Sequence, residues 1–147
     1  MSTPLRNVDA DFDEPVEQWP FEAVLAAVDR GEVTLWSRLI AGIRADPWGA
    51  VAERVAEAIA IAEPYGVAPL MREVIAKAIN DEERLEREQI AQRVRGAVAA
   101  SGMTQAQFAR RIGTSASRLS TYVNGRVVPG ATMLLRIERG VRSPPAR

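Results

Sequence analysis

The residues from Thr104 to Ile137, TQAQFARRIGTSASRLSTYVNGRVVPGATMLLRI, hold the side chains whose types and spacing best suit a recognition task. Two short helix patterns meet at Gly113. Asn124-Gly125-Arg126 and Pro129 follow the second pattern. The second helix is expected to begin at Ser115, to bury Leu119 and Tyr122, and to carry Ala116, Ser117, Arg118, Ser120 and Thr121 on its exposed face. That arrangement suits a helix laid into a DNA groove.

Composition narrows the alternatives. The 147-residue chain has no cysteine and no histidine. Disulfides, thiolate nucleophiles, zinc fingers and imidazole acid/base chemistry are therefore excluded. There is no Gly-rich phosphate loop and no nucleophile elbow, so the chain is expected not to be an enzyme and no cofactor is implied. Asp81, Glu82, Glu83 and Glu86 cluster in sequence. A solvated helix face is a better expectation for them than a cation site, because no histidine is present to complete a di-metal set. RNA binding is disfavoured because the basic part lacks an exposed aromatic platform for single strands.

The formal net charge of zero hides a strong asymmetry. From Arg93 onward there are ten arginines against the single acid Glu138, a net +9. Residues 1–92 hold nine basic and eighteen acidic groups, a net −9. A basic stretch nearly free of acids over more than fifty residues points to a nucleic-acid partner.

The elements that would position these groups read as helices. Ala, Leu, Arg and Glu dominate and alternating strand-like runs are scarce, so the fold class is expected to be all-α. Residues 1–18, with Asp9, Asp11, Asp13, Glu14 and Glu17, read as a flexible acidic arm. Residues 19–80 read as an amino-terminal helical, bundle-like domain for dimerisation or partner binding. Phe21, Val24, Leu25 and Val28 mark a first helix ending near Gly31. Leu35, Trp36, Leu39, Ile40 and Ile43 mark a second. Asp46-Pro47 reads as the cap and first residue of a third, with Val51, Val55 and Ile59 inward. Pro69 opens a fourth with Leu70, Val74, Ile75 and Ile79 inward. Trp19, Trp36 and Trp48 are all expected in this core. No Gly or Pro interrupts the chain between Pro69 and Gly96, so the pattern there is open between one long helix and a break at Asn80. A new helix capped by Asn80, with Glu83 at its third position, fits the sequence equally well.

Residues 81–141 read as the DNA-binding domain and 142–147 as a tail. Ile90, Val94 and Val98 line a helix ending at Ser101-Gly102, with Gly102 left-handed. Thr104 and Gln107 make a capping box. Phe108, Ala109 and Ile112 face inward, Gly113 turns the chain, and Ser115 caps the next helix, roughly 116–123. Met133, Leu134 and Ile137 anchor a last short helix before Gly140.

Thr104-Gln105, Phe108-Ala109, Gly113, Ser115, Leu119-Ser120, Asn124-Gly125-Arg126, Pro129, Leu134 and Ile137 stand at a shared spacing over about 50 residues. In these residues the chain resembles the lambda-repressor-like helix-turn-helix family, the Cro/C1 or XRE type. The resemblance implies that the helix from Ser115 enters the major groove. Ala116, Ser117 and Thr121 would reach base edges, and Ser120 lies on the same face. Arg118 could bind a guanine bidentately, and Ala116 or the Thr121 methyl could meet a thymine methyl. Gln105, Asn124 and Arg126 would bind phosphates, setting affinity and register rather than sequence choice. Three positions depart from the family pattern: Val123 replaces a frequent Glu, Thr114 replaces a common apolar residue, and the family's fifth helix is expected to be absent after Gly140.

The function implied is a sequence-specific double-stranded DNA-binding transcriptional regulator, acting as a dimeric repressor. The alternative is an antitoxin that neutralises a toxin through its amino-terminal domain and regulates its own operon. A homodimer is expected because one such module seldom gives enough specificity alone. No apolar run approaches the roughly 20 residues of a membrane span, and a cytoplasmic location is expected.

Overall fold

The structure, a computed structural model, describes residues 12–62 and 66–142. The first eleven residues of the expected acidic arm and the tail from residue 143 lie outside the described residues. Among the described residues all regular structure is helical. A 3-10 turn, Val16–Gln18, precedes α1 (Phe21–Arg30), α2 (Val33–Ala45), α3 (Ala50–Ile61), α4 (Ala68–Ser101), α5 (Gln105–Ile112), α6 (Ala116–Val123) and α7 (Ala131–Arg142). The chain divides into two compact units between Glu82 and Glu83. No helix among the described residues is long and apolar enough to cross a membrane.

The first unit forms because apolar residues recur every three or four positions along each helix, giving each one a stripe to bury. Ala23, Val24, Ala27 and Val28 of α1, Leu39 and Ile43 of α2, and Val51, Ala52, Val55, Ala58 and Ile59 of α3 make one core. Ala68, Met71 and Ala78 of α4 join it. Gly42 lets α2 approach closely: a Cβ there would lie 2.9 Å from a Val51 methyl and 3.0 Å from a Val16 methyl. The Trp36 indole donates a hydrogen bond to the Ala27 carbonyl at 2.7 Å, which pins α2 to the end of α1.

Part of the expected flexible arm is held in place. Val16 is buried, and Phe12 meets the buried Trp19 edge to face at 5.0 Å. The Trp19 indole donates to the Glu14 carbonyl at 3.0 Å. Arg38 lies 4.7 Å from the Trp19 ring centroid and donates to the carbonyls of Phe12 and Glu14. Two aromatic rings and a guanidinium thus hold a segment that its acidic composition alone marks as loose.

Four further readings need correction. α3 begins at Ala50 with Gly49 as its cap residue, not at Asp46-Pro47. Asp46 instead folds a turn, its carboxylate accepting from the Trp48 amide at 3.3 Å and its carbonyl from the Gly49 amide at 3.1 Å. Trp48 is consequently 54% exposed rather than in the core. Leu70 also faces solvent, and Met71 takes the inward position. The buried face of α4 runs through Ala68, Met71 and Ala78, with Val74 and Ile75 partly buried against the same core. Asn80 caps nothing, because α4 runs unbroken from Ala68 to Ser101.

Candidate nucleic-acid interface

In the second unit, Val94 and Ala97 of α4, Phe108, Ala109 and Ile112 of α5, Leu119 and Tyr122 of α6, and Ile137 of α7 form a separate core. This core fixes the face that each short helix turns outward. α5 and α6 have eight residues each, too short to be stable alone, so their caps and their buried residues must hold them.

Both caps form. The Gln107 amide donates to the Thr104 hydroxyl at 3.2 Å, and the Thr104 amide donates to the Gln107 side-chain oxygen at 3.0 Å. This reciprocal box starts α5. Gly113 ends it at φ +76°, the left-handed region in which a Cβ is costly. The Thr114 amide satisfies the Ala109 carbonyl at 2.9 Å. One residue later the Ser115 hydroxyl accepts from the Arg118 amide at 3.1 Å and starts α6. α6 ends at Asn124. The amides of Arg126 and Val127 then fold back onto the Thr121 carbonyl at 3.0 and 3.2 Å.

The outward face of α6 follows from its inward one. With Leu119 and Tyr122 buried, Ala116, Ser117 and Arg118 are exposed, and Ser120 and Thr121 are half-buried. The Thr121 hydroxyl donates to the Arg118 carbonyl at 2.6 Å, so its methyl is the group left for outside contact. The Ser117 hydroxyl lies 3.2 Å from that of Ser115. Asn124 is exposed, and its amide nitrogen lies 3.4 Å from the Ser120 hydroxyl. Arg126 is exposed just past α6, and Gln105 is exposed at the first position of α5. The α6 residues therefore share one short helix with Asn124 and Arg126 at its end, whereas Gln105 belongs to the neighbouring element.

Residues 89–147 match the family model of a helix-turn-helix domain. The match covers about two fifths of the chain and supports a DNA-binding role for the second unit. No curated protein and no solved structure matches the chain.

Two features of the helix-turn-helix domain escape a reading of sequence alone. Val123 packs against the apolar core, and the end of α6 is secured from elsewhere. Arg95 of α4 donates to the Val123 carbonyl at 2.9 Å while pairing with Glu88 at 2.7 Å. A contact across 28 residues leaves no local signal. Gly140 does not stop the last helix, which continues to Arg142. It serves instead as a close-approach point: a Cβ there would lie 3.0 Å from Phe108 Cε2 and 3.2 Å from Ile112 Cγ2. Among the described residues, no group of three acidic side chains is placed to hold a metal ion.

Proposed function

We propose that the chain is a sequence-specific, double-stranded DNA-binding transcriptional regulator of the lambda-repressor-like type, with α6 reading the major groove. The exposed surface of α6 supports this most directly. Ala116, Ser117, Arg118 and the Thr121 methyl are small or forked groups on a helix whose opposite side is locked into the core. Arg118 supplies bidentate readout and the small groups permit close approach to base edges. Arg126 and Asn124, past the end of the helix, and Gln105, at the start of α5, take phosphates. The strongly positive charge from Arg93 onward adds sequence-independent attraction.

The protein acts as a homodimeric repressor, pairing through the first unit. Exposed Val33, Trp48, Ile61 and Leu70 on that unit support such a surface. Selection of bound duplexes from a random pool tests both statements. The expected product is a palindrome whose half-sites lie about 10 base pairs apart, or a multiple of that. Recovery of no preferred duplex, or a preference for single strands in competition, would defeat the groove assignment. Co-purification of a stoichiometric foreign protein in place of a second copy would favour an antitoxin instead.

A further inference from the structure

On the helix-turn-helix domain, the last turn of α5 and the second half of α7 flank an open cleft of about 430 Å³ that no α6 residue lines. Arg110, Arg111, Gly113, Arg136, Arg139 and Gly140 line it, and among the described residues no carboxylate does. Gly140 allows the two helices to approach closely at its floor, against Phe108 and Ile112. Gly113 leaves its rim without a side chain, with the Arg136 guanidinium 3.8 Å from where a Cβ would stand. Arg110, Arg136 and Arg139 are exposed and make no ion pair with any described residue.

A purely structural role explains little of this. Arginine near a helix C-terminus is favoured by the macrodipole, but that end carries only about half a negative charge. The α5 carbonyls of Ala109 and Arg110 are in addition already bonded by the amides of Gly113 and Thr114. Three guanidinium groups without an ion-pair partner among the described residues therefore keep a positive excess in a concave site, where like charges repel.

We propose that this cleft binds a small phosphorylated anion of two or more negative charges, held by Arg110, Arg136 and Arg139, at a site separate from the DNA-reading surface. The forked guanidinium matches phosphate oxygens bidentately, and a cavity of this size accommodates a nucleotide-sized molecule. None of the lining residues belongs to α6 or to the segment 124–130 that follows it. Occupancy of the site does not require that the groove assignment be correct.

Calorimetric titration of the full chain with inorganic tripolyphosphate, at constant ionic strength, tests the proposal. Saturable one-to-one binding is expected. It should weaken by about tenfold or more in Arg136→Gln/Arg139→Gln, which removes two charge-assisted contacts, and should persist in Arg118→Ala/Arg126→Ala. Arg110→Gln alone serves as a second variant, and circular dichroism verifies that each variant is folded. Absence of saturation, or loss of binding only in Arg118→Ala/Arg126→Ala, overturns the proposal. A parallel DNA titration separates the two sources of phosphate. The salt slope of duplex binding should change by well under about 1 in Arg136→Gln/Arg139→Gln, because these arginines add long-range attraction without touching the DNA phosphates. A slope lowered by about 2 would assign these arginines to the DNA backbone and refute a separate site.

Discussion

The Ser115 hydroxyl accepts a hydrogen bond from the backbone amide of Arg118 at 3.1 Å. The residue that caps α6 is thereby bonded to the backbone of the residue proposed to read guanine. Local stability and recognition share one turn of helix.

Ser115→Ala should cost about 1 kcal/mol, the usual worth of a lost N-cap. In a unit of this size that corresponds to roughly 4–8 °C in Tm. Thermal unfolding followed by circular dichroism measures it, and an unchanged Tm would mean that the cap contributes nothing.

Arg118→Ala should weaken binding to the selected duplex by about 1–3 kcal/mol and relax the preference at one base pair. Arg126→Ala should weaken binding to all duplexes alike and lower the salt slope by about 1. Gel-shift titrations across a salt series distinguish the two patterns. Wild-type behaviour of both variants would place the reading surface elsewhere.

Two glycines should respond in opposite directions to alanine. Gly113→Ala places a Cβ on a residue at φ +76° and should destabilise by about 1–2 kcal/mol. Gly96 is exposed within α4, and a Cβ there would meet nothing within 4 Å. Gly96→Ala should therefore stabilise by up to about 1 kcal/mol through helix propensity. Denaturant unfolding of both variants decides the signs.

Phe108 is fully buried at the centre of the second core. Phe108→Ala should cost about 3–5 kcal/mol, comparable to the whole stability of a domain of about 60 residues. Loss of helical circular dichroism together with loss of duplex retention is expected. Retention of both would show that the core tolerates the cavity.

Features that depend on near neighbours are legible in the amino-acid order. The capping box of Thr104 and Gln107, the left-handed Gly102 and Gly113, the Ser115 cap and the bounds of α6 each rest on residues within a few positions of one another, so composition and spacing reveal them. The helical repeat likewise marks Phe108, Ala109, Ile112, Leu119 and Tyr122 as core residues, and all five are buried. Features that depend on distant parts of the chain meeting come from packing alone. Packing fastens Phe12 and Glu14 beneath Arg38 and sends Arg95 across to the Val123 carbonyl. It also gathers Arg110 and Arg111 with Arg136 and Arg139, from a separate helix further along the chain, around one cleft. Periodicity tells which side of a helix is apolar. Only the tertiary fold, where a glycine such as Gly140 sets how close two helices come, fixes which charged sides end up facing each other.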